Sequence, residues 1–333
     1  MEMYQQRKEN TEMDGIINVY KEAGYTSHDV VAKLRGILHQ KKIGHTGTLD
    51  PMATGVLPVC CGKATKVCEL LADRDKTYQA VCRLGVVTDT QDTTGKILEE
   101  SSVKDITEED VIAAAKSFLG DSMQIPPMYS ALKVNGKKLY ELAREGKEVE
   151  RKPRPITISR LEILQIDVEE QTFSMEVTCS KGTYIRTLCH DIGQKLGVGA
   201  AMENLVRTRV GNFEISSAMT LDEIEQLLGD SEEKFREHIY EVDSLFEGCP
   251  KLQIKEEYAR KLANGNILKS SQLKKLENAS EGAMMASNTI AGDKEQYISE
   301  EAKDKNYLIY DENGKFKAIY KKTGKDYTVM KMF

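Results

Sequence analysis

The sequence predicts an α+β fold, and three observations predict it. Stretches with alternating apolar residues and stretches with apolar residues every three to four positions interleave irregularly. There is no clean run of βα units of the kind that builds a doubly wound parallel sheet. The 333 residues are 40% hydrophobic and 30% charged, with only 7 Pro and 24 Gly. That composition belongs to a globular chain and excludes collagenous, disordered and membrane-embedded classes. At about 100–200 residues per domain the length suggests two domains, and Gly248-Cys249-Pro250 is the candidate boundary.

The elements follow in order. The opening MEMYQQRKENTEMDG has no apolar core, so residues 1–13 read as a solvated tail and not as a secretion signal. Ile16-Ile17-Asn18-Val19-Tyr20 reads as a strand and Gly24 as a turn. Thr26 or Ser27 can cap a helix whose apolar face is Val30, Val31, Leu34 and Leu38. Tyr78, Ala80, Cys82, Leu84 and Val86 alternate at strand period. Thr107 with Asp110 predicts a capping box for a helix reaching Leu119, stopped at Gly120. Phe173, Met175, Val177 and Cys179 give another strand; Ile185, Leu188, Ile192 and Leu196 then repeat at helical spacing up to Gly197. Residues 222–247 predict a helix followed by a linker. Beyond the boundary, Tyr307–Tyr310 and Phe316–Tyr320 read as strands around an Asp-Glu-Asn-Gly turn. The polar stretch 270–306 reads as a long loop or insertion. The expected organisation is a tail (1–13), a large domain (14–248) and a small one (249–333).

Nothing approaches 18 consecutive apolar residues, so a spanning helix is not expected. The seven Cys are odd in number and lack CxxC spacing, which suggests reduced thiols in a cytoplasmic protein. Five His show no HExxH and no His/Cys quartet, giving no reason to expect a metal. Adjacent Cys60-Cys61 read as small core residues, and so does Cys189 beside His190. The net charge of −6 is unevenly spread. Residues 222–247 carry ten acidic against two basic side chains, so the rest sums to +2; residues 133–154 carry +4 and residues 314–333 carry +5. On charge alone each run reads as a solvated surface, but a nucleic-acid binder needs only a local positive track.

The chemistry concentrates in Lys41-Lys42-Ile43-Gly44-His45-Thr46-Gly47-Thr48-Leu49-Asp50-Pro51-Met52-Ala53-Thr54-Gly55. Three Gly permit close backbone approach, and Pro51 biases Asp50 away from helix. Asp50 beside a His and two Lys could be a nucleophile or general base; from the residues alone the favoured reading is that Asp50 caps the next turn and His45 is an ordinary loop residue. Gly62-Lys63 does not complete a phosphate-binding P-loop, because Leu57 and Ala64 stand where Gly and Ser/Thr are needed.

Gly44-His45-Thr46-Gly47-Thr48-Leu49-Asp50-Pro51 with Ala53 and Gly55 resembles the signature loop of the TruB family of tRNA pseudouridine synthases. Four further stretches resemble the family's other motifs in order. They are Asp75-Lys76-Thr77-Tyr78 with Leu84-Gly85 and Thr88-Asp89-Thr90; Gln124 through Lys133 with Gly136, Leu139-Tyr140 and Ala143-Arg144; Ser180 through Leu188 with Asp191-Ile192-Gly193; and Leu205-Val206-Arg207-Thr208-Arg209-Val210-Gly211. Together they span roughly residues 15–220. The family's first motif has Lys-Pro where this chain has Lys21-Glu22, which loosens a turn and removes no chemical group.

The resemblance implies a pseudouridine-synthase fold, a large mixed, mostly antiparallel sheet flanked by helices, with a small PUA-like β-barrel at the C-terminus. It implies isomerisation of the T-loop uridine 55 of tRNA to pseudouridine, without cofactor or metal, after the base is flipped out. Asp50 matches the essential carboxylate, which attacks the base or the ribose or deprotonates C2′. Arg186 matches its ion-pair partner and is expected to lower its pKa. Tyr78 matches the aromatic that stacks on the flipped base and receives the C5 proton. His45 matches a residue filling the vacated space. Tyr184, taken as extended and on the side of Arg186, should line the uracil pocket with Leu205. Lys21, Lys63 and Lys66 are candidate phosphate contacts. The expected partner is tRNA, through its T-arm and acceptor stem, with no membrane and no obligatory protein partner; the chain is expected to act as a monomer and also as a tRNA-folding chaperone.

Overall fold

A computed structural model of the chain describes residues 12–246, 248–276 and 306–333. The chain divides into two compact units between Ile239 and Tyr240, nine residues before the Gly248-Cys249-Pro250 stretch. In the first unit the main strands are β1 (Gly15–Lys21), β2 (Ile43–His45), β3 (Thr54–Cys61), β4 (Lys76–Leu84), β5 (Gly120–Gln124), β6 (Arg154–Asp167), β7 (Thr172–Cys179), β8 (Ala200–Val210) and β9 (Phe213–Glu214). The helices that pack on them are α1 (Ser27–Ile37), α2 (Glu108–Lys116), α3 (Ile185–Leu196) and α4 (Leu221–Asp230).

Seven strands run in the order β1-β3-β8-β4-β7-β6-β5, with β2 on β3 and β9 on β8. All these pairs are antiparallel except β3–β8. The sheet is therefore mixed and mostly antiparallel, with helices packed on it, as the resemblance implies. At the parallel join Val206 faces Thr54 and Arg207 faces Gly55. Gly55 has φ +102°, and a Cβ there would lie 2.2 Å from the Arg207 carbonyl oxygen. Only glycine lets β8 come this close to the end of the signature loop.

The helix ends follow local chemistry. Thr26, Thr107 and Thr220 cap α1, α2 and α4, each in a reciprocal box with Asp29, Asp110 and Glu223. Helix α2 stops at Lys116, short of the Leu119 its pattern suggested. Helix α3 ends on left-handed Gly197. Tyr78, Cys82, Phe173, Met175, Ile185 and Leu188 belong to one core. Ile17, Val19, Val30, Leu34, Leu57 and Ile224 belong to a second.

Residues 1–11 lie outside the described ones, but Met13 is not solvated. It is buried, and the Gln40 amide bonds its backbone N–H and carbonyl at 2.8 and 2.9 Å. The second unit holds β10 (Lys251–Ile254), β11 (Leu268–Lys269), β12 (Leu273–Lys275), β13 (Asn306–Tyr310), β14 (Phe316–Thr323) and β15 (Asp326–Met332). Their order β11-β15-β14-β13-β10-β12 forms a nearly closed PUA-like barrel around Ile254, Leu262, Ile309 and Tyr320. Leu273–Lys275 pairs with Leu252–Ile254, so the polar stretch from 270 begins as structure; residues 277–305 lie outside the described ones. No described helix is long and apolar enough to cross a membrane.

Candidate active site

The signature loop joins β2 to β3 and is tied down from below. Lys21, the last residue of β1, is 0% exposed and donates to the carbonyls of Tyr25, Pro51 and Glu22 at 2.6, 3.0 and 3.1 Å. Gly24 N–H also donates to Pro51 O, and Leu49 N–H donates to the buried Ser27 hydroxyl at 2.9 Å. The β1–α1 connection is thus the platform on which Asp50 stands. Lys21 is therefore not a phosphate contact. Its ammonium is spent on the loop's own carbonyls, and burial pulls its pKa down to about 8. Glu22 supplies only its carbonyl to this bond, so a proline would serve equally there.

Asp50 meets Arg186 in a two-point contact, Nε to Oδ2 at 2.9 Å and Nη2 to Oδ1 at 3.2 Å. The Arg186 side chain is 6% exposed and that of Asp50 38%. The remaining guanidinium donors are used as well. Nη2 donates to Tyr129 O at 2.8 Å and Nη1 to Thr90 O at 3.0 Å, with Asp92 Oδ2 at 3.6 Å. One side chain therefore gathers the signature loop, the Thr90 turn and the Tyr129 segment. Arg186 is the second residue of α3, with Tyr184 as the residue preceding it. The segment is thus not extended as expected; Tyr184 reaches the site as the helix cap. The buried Gln124 amide clamps its backbone, Nε2 to Tyr184 O at 3.0 Å and Tyr184 N–H to Oε1 at 2.8 Å.

The expected sign of the Asp50 shift is reversed. Burial raises its pKa above the usual aspartate value; Arg186 opposes that, and Asp92 adds to it. Desolvation of the carboxylate outweighs the ion pair, and the like charge of Asp92 adds to the rise.

Tyr78 on β4 is 8% exposed and shares its core with Leu49, Ala53 and Leu205. Its neighbour across the sheet is Arg207 on β8. Burial raises the phenol's pKa, and the charges of Arg207 and Asp50 act on it in opposite directions. Asp50, Arg186, Tyr78 and Leu205 are thus brought together, with Tyr184 near enough for Asp50 and Arg186 to bear on its phenol. His45 lies at the end of β2, edge-on to His28 at 5.0 Å, and its Nδ1 accepts from Gly47 N–H at 3.3 Å. Burial pulls its pKa down to about 4, which leaves it neutral. His45 lines a cavity of about 550 Å³ with His28, Arg35, Lys41, Lys42 and Cys68. The side chains of Lys63 and Lys66 are exposed on the turn after β3. Among the described residues no group of three or more His, Cys, Asp or Glu is arranged to hold a metal.

Sequence reasoning gave no role to Asp92, Gln124 or Arg207. Arg207 and Gln124 sit in matched motifs, but nothing in their spacing announces that one fills the interior and the other clamps a backbone. Asp92 follows a Thr-Asp-Thr run as one more loop carboxylate.

Comparison with known proteins matches the model of the TruB family pseudouridylate synthase N-terminal domain to residues 35–185. The tRNA pseudouridylate synthase B C-terminal domain matches residues 186–247. The site straddles the two, with Asp50 and Tyr78 in the first and Arg186, Leu205 and Arg207 in the second. The chain is 41% identical to tRNA pseudouridine synthase B of Clostridium kluyveri over 321 residues, covering 96% of this chain and all of that one. It is 48% identical to the Bacillus pumilus protein of the same name over 260 residues, 77% of this chain and 84% of that one. A chain of a Cbf5-Nop10-Gar1 complex superposes with a TM-score of 0.68 at 29% identity, covering 96% of this chain and 84% of its own.

Proposed function

The chain belongs to the TruB family of pseudouridylate synthases, and on that premise we propose that it converts uridine 55 in the T-loop of tRNA to pseudouridine. The observation that carries the reading is the Asp50 carboxylate, fixed on both oxygens by Arg186 yet open to solvent beside Tyr78 and Leu205. A uridine flipped out of its RNA would bring its base against Tyr78 and its glycosidic bond to Asp50. Asp50 attacks the base or ribose, or deprotonates C2′; the C1′–N1 bond breaks, the uracil turns, and C5 bonds to C1′. Stacking on Tyr78 would contribute about 1–3 kcal/mol. The neutral His45, on the basic cavity, is suited to the space the base vacates. In this reading the exposed lysines of the turn after β3 meet the T-arm backbone, and the small barrel, with Lys315 and Lys325 exposed, meets the acceptor stem.

The chain is proposed to act alone in the cytoplasm, as a monomer with no cofactor, and to help tRNA fold while opening its elbow. The likeness to a chain from a Cbf5-Nop10-Gar1 complex favours a second reading, activity only within a multi-subunit assembly. Purified chain incubated with unmodified tRNA, followed by mapping of pseudouridine, separates them. The expected result is modification at position 55 without added protein. Product only upon adding partner subunits supports the second reading, and none under either condition sinks both.

A further inference from the structure

Arg207 has features the reaction as described does not use. It is 1% exposed and among the largest fully buried side chains of the described residues. Its Nε donates to Val56 O at 2.7 Å and its Nη2 to Gly47 O at 3.4 Å. Those carbonyls flank Asp50 on either side in the chain, so the guanidinium staples the two ends of the signature loop. Its own backbone is fixed against Gly55, where no side chain fits.

Yet among the described residues no carboxylate pairs with it. A buried charge without a counter-charge is costly, and such a cost persists where function uses it. The ionisable neighbours of Arg207 sort cleanly. Beyond the effect of burial, its charge disfavours the protonated forms of Lys21, His45 and Lys76. The group whose ionised form it favours is the Tyr78 phenol, on the residue directly opposite it across the antiparallel pair of β8 and β4, so that both side chains lie on one face of the sheet. Apart from Arg207, the charges and thiols bearing on Tyr78 are Asp50 and Cys179, and both oppose the phenolate.

We propose that Arg207 is a positioning residue for proton removal: its uncompensated guanidinium, directly across the sheet from Tyr78, stabilises the phenol oxygen as the phenolate that takes the C5 proton of the rearranged uracil. The balance is simple. The phenolate oxygen takes the proton, and the C5–H electrons close the C5=C6 double bond. N1, freed from C1′, takes a proton from solvent, and the phenol later returns its own proton to solvent. This deepens the proposed function and rests on it.

The test compares wild type with Arg207→Met and Arg207→Lys on unmodified tRNA carrying hydrogen or deuterium at uridine C5. Arg207→Met should lose on the order of 10²-fold in rate, the low end of what general-base catalysis supplies, and its isotope effect should exceed the wild-type value. Arg207→Lys keeps the charge but not the fork, and should fall between. Replacing Tyr78 by 3-fluorotyrosine, a more acidic phenol, should recover part of the rate lost in each variant. If Arg207→Met does not fold, the same comparison in Arg207→Lys decides. A slower variant with the wild-type isotope effect and no recovery by fluorotyrosine overturns the inference, leaving Arg207 as a staple. Wild type that forms no pseudouridine sinks the functional reading instead, so the two failures are distinguishable.

Discussion

Arg186 and Arg207 are both buried beside the loop that carries Asp50, yet their surroundings follow opposite plans. Around Arg186 the charge is matched: two carboxylates and two carbonyls take its donors. Around Arg207 it is not: two carbonyls and a phenol face it. The first arrangement fixes a negative charge already present on Asp50. The second leaves positive potential where negative charge has yet to appear. Preorganised charge aimed at a charge that develops during reaction is what accelerates a chemical step. The contrast separates a ground-state anchor from a group that acts during turnover.

The strongest way to break the contrast is to remove the anion that Arg186 holds. Asp50→Asn should abolish pseudouridine formation while keeping tRNA binding, measured by product mapping and by filter binding on the same preparation. Product at the wild-type rate would overturn the enzyme assignment. Binding with no product, beside a wild type that forms it, means both roles: turnover that needs Asp50, and tRNA binding that does not. Arg186→Lys comes next. A point charge cannot span both Asp50 oxygens or reach Tyr129 O and Thr90 O together, so a loss of roughly 10²-fold is expected from misplacement alone. Near-normal turnover would mean the fork is not needed.

The pH dependence sharpens the same comparison. The proposed reaction uses ionised Asp50, and burial raises its pKa above the ordinary aspartate value despite Arg186. As pH falls, the carboxylate takes its proton earlier than a solvated aspartate would. The acid limb of the rate profile should therefore lie above the ordinary aspartate value of 3.8. Asp92→Asn removes one cause of the rise and should move that limb down. An unmoved limb would mean that a different group controls it.

Much of this was legible in the sequence and the remainder had physical reasons for hiding. Capping boxes at Thr26, Thr107 and Thr220 are local hydrogen-bond chemistry, and Thr107 with Asp110 was readable outright. Strand β3 was not, because Gly55 and Pro58 read as breakers, although the strand is buried along nearly its whole length. Strand β8 was hidden because its Glu, Asn and Arg residues mask the alternation, and Arg207 points inward. The motif match named residues that the fold brings together, Asp50 with Arg186 and Tyr78 with Leu205. It gave the wrong sign for the Asp50 shift, because ion pairing is visible in sequence and desolvation is not. It also misplaced Lys21, because nothing in a lysine's surroundings along the chain tells a buried ammonium from a solvated one.

That pair of lysine environments gives the smallest and most discriminating prediction. Lys21 and the exposed Lys63 and Lys66 were all candidate phosphate contacts. Neutralising a lysine that touches phosphate releases fewer counterions on binding. Lys63→Ala or Lys66→Ala should therefore weaken tRNA affinity modestly and reduce the salt slope of log K by about 1 each, leaving kcat unchanged. Lys21→Met should do the reverse. Its aliphatic stem is kept, so the packing survives, but the Tyr25, Pro51 and Glu22 carbonyls lose a charged donor. Stability should fall by about 1–3 kcal/mol, read as a lower thermal transition, and kcat should drop because the platform beneath Asp50 loosens. The salt slope should not move. If Lys21→Met changed the slope by as much as Lys66→Ala does, its ammonium must leave its carbonyls to meet RNA, and the division between buried scaffold and exposed grip would not hold.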